Sequence, residues 1–219
     1  NITDIDDKII NVSKREKVES SVIAKKFTKQ YHDDFKKLYV LAPDIEPFAT
    51  NYIDQMIKFI DNLLKNNSAY LSDSHVLFNV SNFPDYGKLS GRKIEEMKPG
   101  ARIEVASYKK NPSDFVLWKP SPENEIGWDS PWGRGRPGWH LECSAMIKEH
   151  LGETIDIHGG GEDLTFPHHE NEIAQSVCCN ENNPLARFWV HNGLLRSENT
   201  KMSKSLGNFV LMKDLLKEY

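Results

Sequence analysis

The chain has 219 residues, enough to bury a sizeable core and to hold two compact units. Its 28 Lys and Arg stand against 32 Asp and Glu, a net charge of −4, so no overall basic field announces nucleic acid; an RNA contact needs a local patch or a further domain. Three cysteines, two of them adjacent, do not make a disulfide framework and fit a reducing, cytoplasmic setting, and no apolar run reaches membrane-spanning length.

In chain order, Asn1 to Lys8 (NITDIDDK) reads as the end of a strand entering a helix, as if the chain starts inside a domain. Ile23, Phe27, Tyr31 and Phe35 recur every four residues and predict one helical face turned to the core. Leu41-Ala42-Pro43-Asp44 breaks that helix. Thr50 is placed as the N-cap of a second helix with the core stripe Ile53, Ile57, Ile60 and Leu64, which Asn66-Asn67-Ser68 ends. Tyr70-Leu71, a polar turn at Ser72-Asp73-Ser74, and Val76-Leu77-Phe78 predict a hairpin. Pro84, Gly87, Gly91, Pro99 and Gly100 punctuate the chain beyond the hairpin, with a short strand at Ile103 to Val105 and a Pro-, Gly- and Trp-rich stretch from Ser121 to Gly138. Residues 68–134 are therefore expected to form an inserted, mostly β module.

Alternation of strands and helices then returns. A helix is predicted from Pro137 to Glu149, a short strand with Ile155 and Ile157 ending near His158, a glycine run, a helix from about Pro167 to Gln175, and a strand at Phe188-Trp189-Val190. A strand, a glycine loop and a helix in that order build a ligand crevice at the carboxyl end of a parallel sheet. The fold class expected is α/β.

Three constellations carry chemistry. Cys143 lies on the helix after Pro137, with Trp139 four residues before it on the same face. His168 and Glu172 are spaced to reach one ion from one helix, and Cys, His and Glu together make a three-ligand zinc set. A fourth ligand comes from elsewhere, with Cys178 and Cys179 as candidates; the plainer reading is a buried small thiol and an exposed ion pair. Gly159, Gly160 and Gly161 let backbone approach a ligand closely, and Asp163 is placed to accept from ribose hydroxyls; the alternative is a flexible turn with a charged tip. Lys201 and Lys204, before Gly207, set two ammonium groups on a mobile loop, which suits a polyphosphate whose charge grows as pyrophosphate leaves. A solvated basic helix start is the alternative there.

Five stretches resemble the cysteinyl-tRNA synthetase family of class I: Gly135 to Met146 (GRPGWHLECSAM), His158 to Glu172 (HGGGEDLTFPHHENE), Lys201 to Phe209 (KMSKSLGNF), Asp114 to Lys119 (DFVLWK) and the opening NITDIDDKII. The resemblance covers essentially the whole chain. It implies a Rossmann-like nucleotide-binding fold, present in part, with an inserted connective module. Residues 1–67 would be the remainder of its first half, 68–134 the insertion, 135–198 the second half with the zinc site, and 199–219 the ATP loop and the start of a helical region. It further implies one zinc ion at the floor of the amino-acid pocket, held by Cys143, His168, Glu172 and a second cysteine from before Asn1. Thr3, Trp139 and His158 would contact the amino acid.

ATP, with Mg2+, would meet Gly159, Gly160, Gly161, Asp163, Lys201 and Lys204, the two lysines acting in the transition state. The implied activity is ATP-dependent formation of cysteinyl-adenylate and transfer to tRNA(Cys), with zinc choosing thiol over hydroxyl and no general-base triad. A monomer without membrane attachment is expected. The early HIGH-type signature and the anticodon-binding part are expected outside this stretch, so these residues alone would be inactive. The rivals are the ligase that joins cysteine to an amino sugar in mycothiol synthesis, a non-catalytic zinc or nucleotide-binding module, and a zinc hydrolase with Glu170 or Glu172 as base.

Overall fold

A computed structural model of the chain describes residues 1–93, 106–197, 200–202 and 207–218. The strand expected at 103–105, and Lys204 with its neighbours 203–206, lie outside the described residues. Helix α1 (Asp7–Glu16) starts on the Asp6 carboxylate, which accepts from the Lys8 N–H at 2.5 Å. It stops at Lys17, whose φ of 55° turns the chain into α2 (Ser20–Lys37). Of the α2 stripe only Ile23 is buried; Phe27, Tyr31 and Phe35 are 54%, 41% and 38% exposed, which corrects their assignment to the core. Periodicity selects one face of a helix but not what covers it. Here Tyr31 and Phe35 pack on each other, ring centroids 4.3 Å apart.

Thr50 is not a helix cap. It sits in a short turn, Ala49–Tyr52, and gives both its N–H (2.9 Å) and its hydroxyl (2.5 Å) to the Asp4 carboxylate. Helix α3 (Ile53–Lys65) comes next and buries Ile53, Met56, Phe59, Ile60 and Leu63, while Ile57 and Leu64 are half-buried. The buried stripe steps by three and four, as a 3.6-residue turn requires, so a step of four alone drifts off it.

Strands β1 (Ala69–Ser72) and β2 (His75–Phe78) form the expected hairpin, with Asp73 and Ser74 at φ 45° and 61°, the conformation that a two-residue hairpin turn needs. β3 (Phe115–Pro120) and β4 (Gly135–Pro137) complete an antiparallel sheet in the order β1-β2-β3-β4. Pro137 thus closes a strand instead of opening a helix, and α4 runs Trp139–Leu151. The chain stays on β3 through Gly138, whose N–H donates to the Leu117 carbonyl at 2.8 Å. A Cβ on Gly138 would lie 1.9 Å from the Val116 carbonyl oxygen, so only glycine passes there.

β5 (Ile155–Gly161) and β6 (Ala186–Asn192) pair in parallel. The glycines expected as a loop after β5 are its last three residues, opposite Val190, His191 and Asn192. An irregular turn over 165–169, with Phe166 in an extended conformation, delays α5 to Glu170–Cys179, three residues later than expected at its start and four residues later at its end. β7 (Arg196–Ser197), β8 (Thr200–Lys201) and α6 (Met212–Glu218) end the described chain. One buried cluster runs from Ile5 and Ile10 through α3 and β1–β3 to Leu141, Ala145 and Met146 of α4 and Ala174 of α5. The antiparallel sheet therefore shares its core with the two helices that carry the site. Among the described residues no helix is long and apolar enough to cross a membrane.

Candidate metal centre

Three elements converge on a cavity of about 540 Å³ lined by Cys143, His158, Gly159, His168, His169 and Glu172, among others. α4 brings Cys143, β5 brings His158 and Gly159, and α5 with its preceding turn brings the rest. A polar seam holds α4 and α5 in register: Gln175 Nε2 donates to the His140 carbonyl (2.5 Å) and to Ser144 Oγ (2.7 Å), and Ser176 Oγ meets Ser144 Oγ at 2.8 Å.

Within the cavity Cys143 Sγ lies 3.7 Å from His168 Nε2, which lies 2.5 Å from Glu172 Oε1. Glu172 Oε2 lies 3.0 Å from His158 Nε2. His168 Nδ1 is engaged by His140 Nδ1 at 2.8 Å, so its other nitrogen is turned to the thiol and the carboxylate. Glu172 is fully buried, yet among the described residues neither of its oxygens has an aligned hydrogen bond. Burial pushes its carboxyl up, but His158 and His168 outweigh it and hold it at about 2, so the group is anionic. Burial, then the charges of Glu172 and Glu142, push the Cys143 thiol up. A buried carboxylate between two imidazoles, beside a thiol, is a donor set that a cation would complete. The donor atoms of Cys143, His168 and Glu172 all fall within 4.8 Å of one another, and sulfur, nitrogen and oxygen together suit zinc. The residues present fit such an ion.

Of the other expected site residues, Thr3, Trp139, Gly160 and Gly161 are not part of this cavity's lining. Thr3 donates its hydroxyl to Glu142 Oε2 at 3.1 Å, and the Asn1 amide comes within 3.8 Å of Cys143 Sγ. Trp139 lies against the ring of His168, centroids 4.4 Å apart, and lines a neighbouring cavity of about 310 Å³ with His75, Tyr108 and Lys109. Gly160 and Gly161 serve close packing: a Cβ on Gly160 would lie 2.8 Å from His169 Cε1, and one on Gly161 2.7 Å from Asp163 Oδ1. Lys201 lies on β8. Cys178 and Cys179 sit at the far end of α5 near Asn66 and Asn62 and do not join the metal set, which removes them as fourth-ligand candidates.

Sequence reasoning missed His140, His169 and His191. His169 is buried, meets His191 at 2.8 Å, and forms a second donor group with His158 and Glu172. His191 lies two residues from Trp189 on β6, a strand period that flags it in retrospect. Glu170, one of the two glutamates offered as a hydrolytic base, is buried and accepts from Gly87 N–H (3.0 Å), Ser90 N–H (2.7 Å) and Ser90 Oγ (2.9 Å). It ties the turn after β2 to α5. Asn171 beside it takes the Tyr86 hydroxyl, and Arg92 lies 4.4 Å over the Phe166 ring.

The whole chain, residues 1–219, matches a family model described as the tRNA synthetases class I (C) catalytic domain. A cysteine–tRNA ligase of Parvibaculum lavamentivorans is 61% identical over 216 residues, 99% of this chain and 46% of that protein. Another, of Maricaulis maris, is 57% identical over 219 residues, 100% of this chain and 48% of that protein. The chain spans about half the length of the curated relatives it matches.

Proposed function

The chain belongs to the family of class I (C) tRNA synthetase catalytic domains, and on that footing we propose that it serves cysteine–tRNA ligase activity, with cysteine selected at the Cys143–His168–Glu172 centre. The observation that carries this is the buried anionic Glu172, without an aligned donor among the described residues, facing a thiol and an imidazole. A zinc ion held there supplies a soft partner for the substrate thiolate, which separates cysteine from serine where a packed pocket distinguishes such near-isosteres poorly.

The chain's own residues do the rest. His140 fixes the ring of His168, and Gln175 fixes the backbone of His140. Glu142 holds Thr3, and with it the opening segment, against α4. Thr3, Trp139 and His158 are the residues we assign to the amino acid. Gly159, Gly160 and Gly161 bring bare backbone to the end of β5, where ATP's sugar and phosphates would lie, with Asp163 assigned to the ribose. Lys201 and Lys204 are assigned to the phosphates and their Mg2+, as charge develops on the leaving pyrophosphate. The Rossmann-like division of the chain, the 68–134 insertion as a platform for the tRNA acceptor end, a monomeric state and a cytoplasmic location belong to the same reading.

Exchange of labelled pyrophosphate into ATP by the full-length protein, with cysteine or with serine, tests it. Cysteine-dependent exchange is expected. Cys143→Ser should lower kcat/KM for cysteine by more than about 10²-fold, beyond what a packing difference gives, toward the serine level. A variant that keeps full discrimination would show that shape, not the metal centre, reads the substrate.

A further inference from the structure

We propose that the imidazole-rich wall of the same cavity, His158, His169 and the outer oxygen of Glu172, is a second position for a borderline divalent cation such as zinc, cobalt or nickel. The inference rests on the reading of Cys143, His168 and Glu172 as the resident centre. Glu172 joins the two positions. Its two oxygens face different partners: Oε1 lies 2.5 Å from His168 Nε2, and Oε2 lies 3.0 Å from His158 Nε2. Among the described residues neither has an aligned hydrogen bond, and the residue is fully buried. One ion beside Cys143 and His168 uses one oxygen and leaves the other against His158. His158, His169 and Glu172 place one donor atom each within 4.8 Å of one another, as the resident set does.

Two imidazoles and a carboxylate that leave open positions are a recurrent donor set for divalent transition metals. A carboxylate shared between two ions is a recurrent bridge, with the ions roughly 3.5–4 Å apart. The wall is also built to hold its rings still. His169 is tied to His191 at 2.8 Å and pressed on Gly160, and His158 packs on Trp189 with centroids 4.6 Å apart. The two positions differ in chemistry. The resident one includes a thiolate; the second has nitrogen and oxygen only, so it should bind its ion at least about tenfold more weakly. Because His158 is also assigned to the amino acid, a filled second position would compete with substrate, and cation beyond one equivalent would act as an inhibitor.

Cobalt titration of the metal-free, full-length protein tests this. Two equivalents are expected, the first with a thiolate-to-cobalt charge-transfer band and the second with only the weak bands of nitrogen and oxygen ligands. In His169→Gln, and in His158→Gln as an independent variant, the second equivalent should disappear while the charge-transfer band remains. A single equivalent in the wild type that carries the charge-transfer band overturns the proposal, whatever the variants do. So does a second equivalent that survives in both variants. Absence of the charge-transfer band, with one equivalent lost in His169→Gln, would instead overturn the resident centre and uphold the imidazole position.

Discussion

At the scale of single residues, the site depends on a few positions where one atom decides the outcome. Gly138 is the clearest. A methyl group there meets the Val116 carbonyl oxygen at 1.9 Å, a main-chain atom with no flexible side chain to yield. Gly138→Ala should therefore destabilise by about 3 kcal/mol, the upper end of overpacking costs, and shift α4 with Cys143 on it. Urea unfolding and metal content measure the two effects separately. Gly160→Ala meets the His169 ring at 2.8 Å, and a ring can turn, so a smaller loss, about 1–2 kcal/mol, is expected. The lysines act differently. Lys201→Ala or Lys204→Ala should slow adenylate formation at least about 10²-fold, the scale for losing one preorganised charge, and leave the KM for cysteine little changed. Loss of cysteine affinity with an unchanged rate would remove these lysines from the phosphate role.

At the scale of elements, two carboxylate joints hold the site's supports together. Glu170 closes the turn after β2 onto α5 with three accepted hydrogen bonds. Glu170→Ala leaves those donors without their acceptor and should cost about 3 kcal/mol. Faster hydrogen exchange at the Gly87 and Ser90 amides, with Glu170→Gln intermediate, would locate the loss at this joint. The second joint is Asp7 on α1, which meets Arg136 of β4 at 2.6 Å and Lys119 of β3 at 2.8 Å. Burial pushes the Asp7 carboxyl up, but Lys119 and Arg136 outweigh it, so it titrates below its ordinary value of 3.8. A carboxyl lowered on folding contributes stability above its unfolded value and loses it as pH falls through the folded one. Between about pH 5 and about pH 2 the urea midpoint should fall less in Asp7→Asn than in the wild type. Equal slopes would show that Asp7 carries no acid-sensitive stability.

At the scale of the whole molecule, the antiparallel sheet and the site-bearing helices share one buried cluster, from Phe78 and Trp118 to Leu141 and Ala174. Units with a common core open together. Amides of β2, β3 and α3 in the full-length protein should therefore exchange with the same free energy. Exchange of the sheet at much lower cost than α3 would make residues 68–134 an independently folding module. The parallel pair is less covered: Ile157, Phe188 and Val190 are 64%, 66% and 50% exposed.

The sequence by itself determined the family, the hairpin and the order of most elements. Those properties are local. The spacing of His168 and Glu172 lies within about one helical turn, the Ser72-Asp73-Ser74 turn sets its own backbone, and the long matched motifs identify a family without reference to packing. What only the tertiary structure decided is what meets what across the chain. It left Phe27, Tyr31 and Phe35 uncovered, held residues 135–138 on β3 until α4 could start, and drew the glycines into β5. It also gave Glu170 to a distant turn and joined His140, His169 and His191 to the site. Periodicity and spacing report the face a side chain takes on its own element; burial and partnership depend on a second element distant in sequence, which local patterns do not encode.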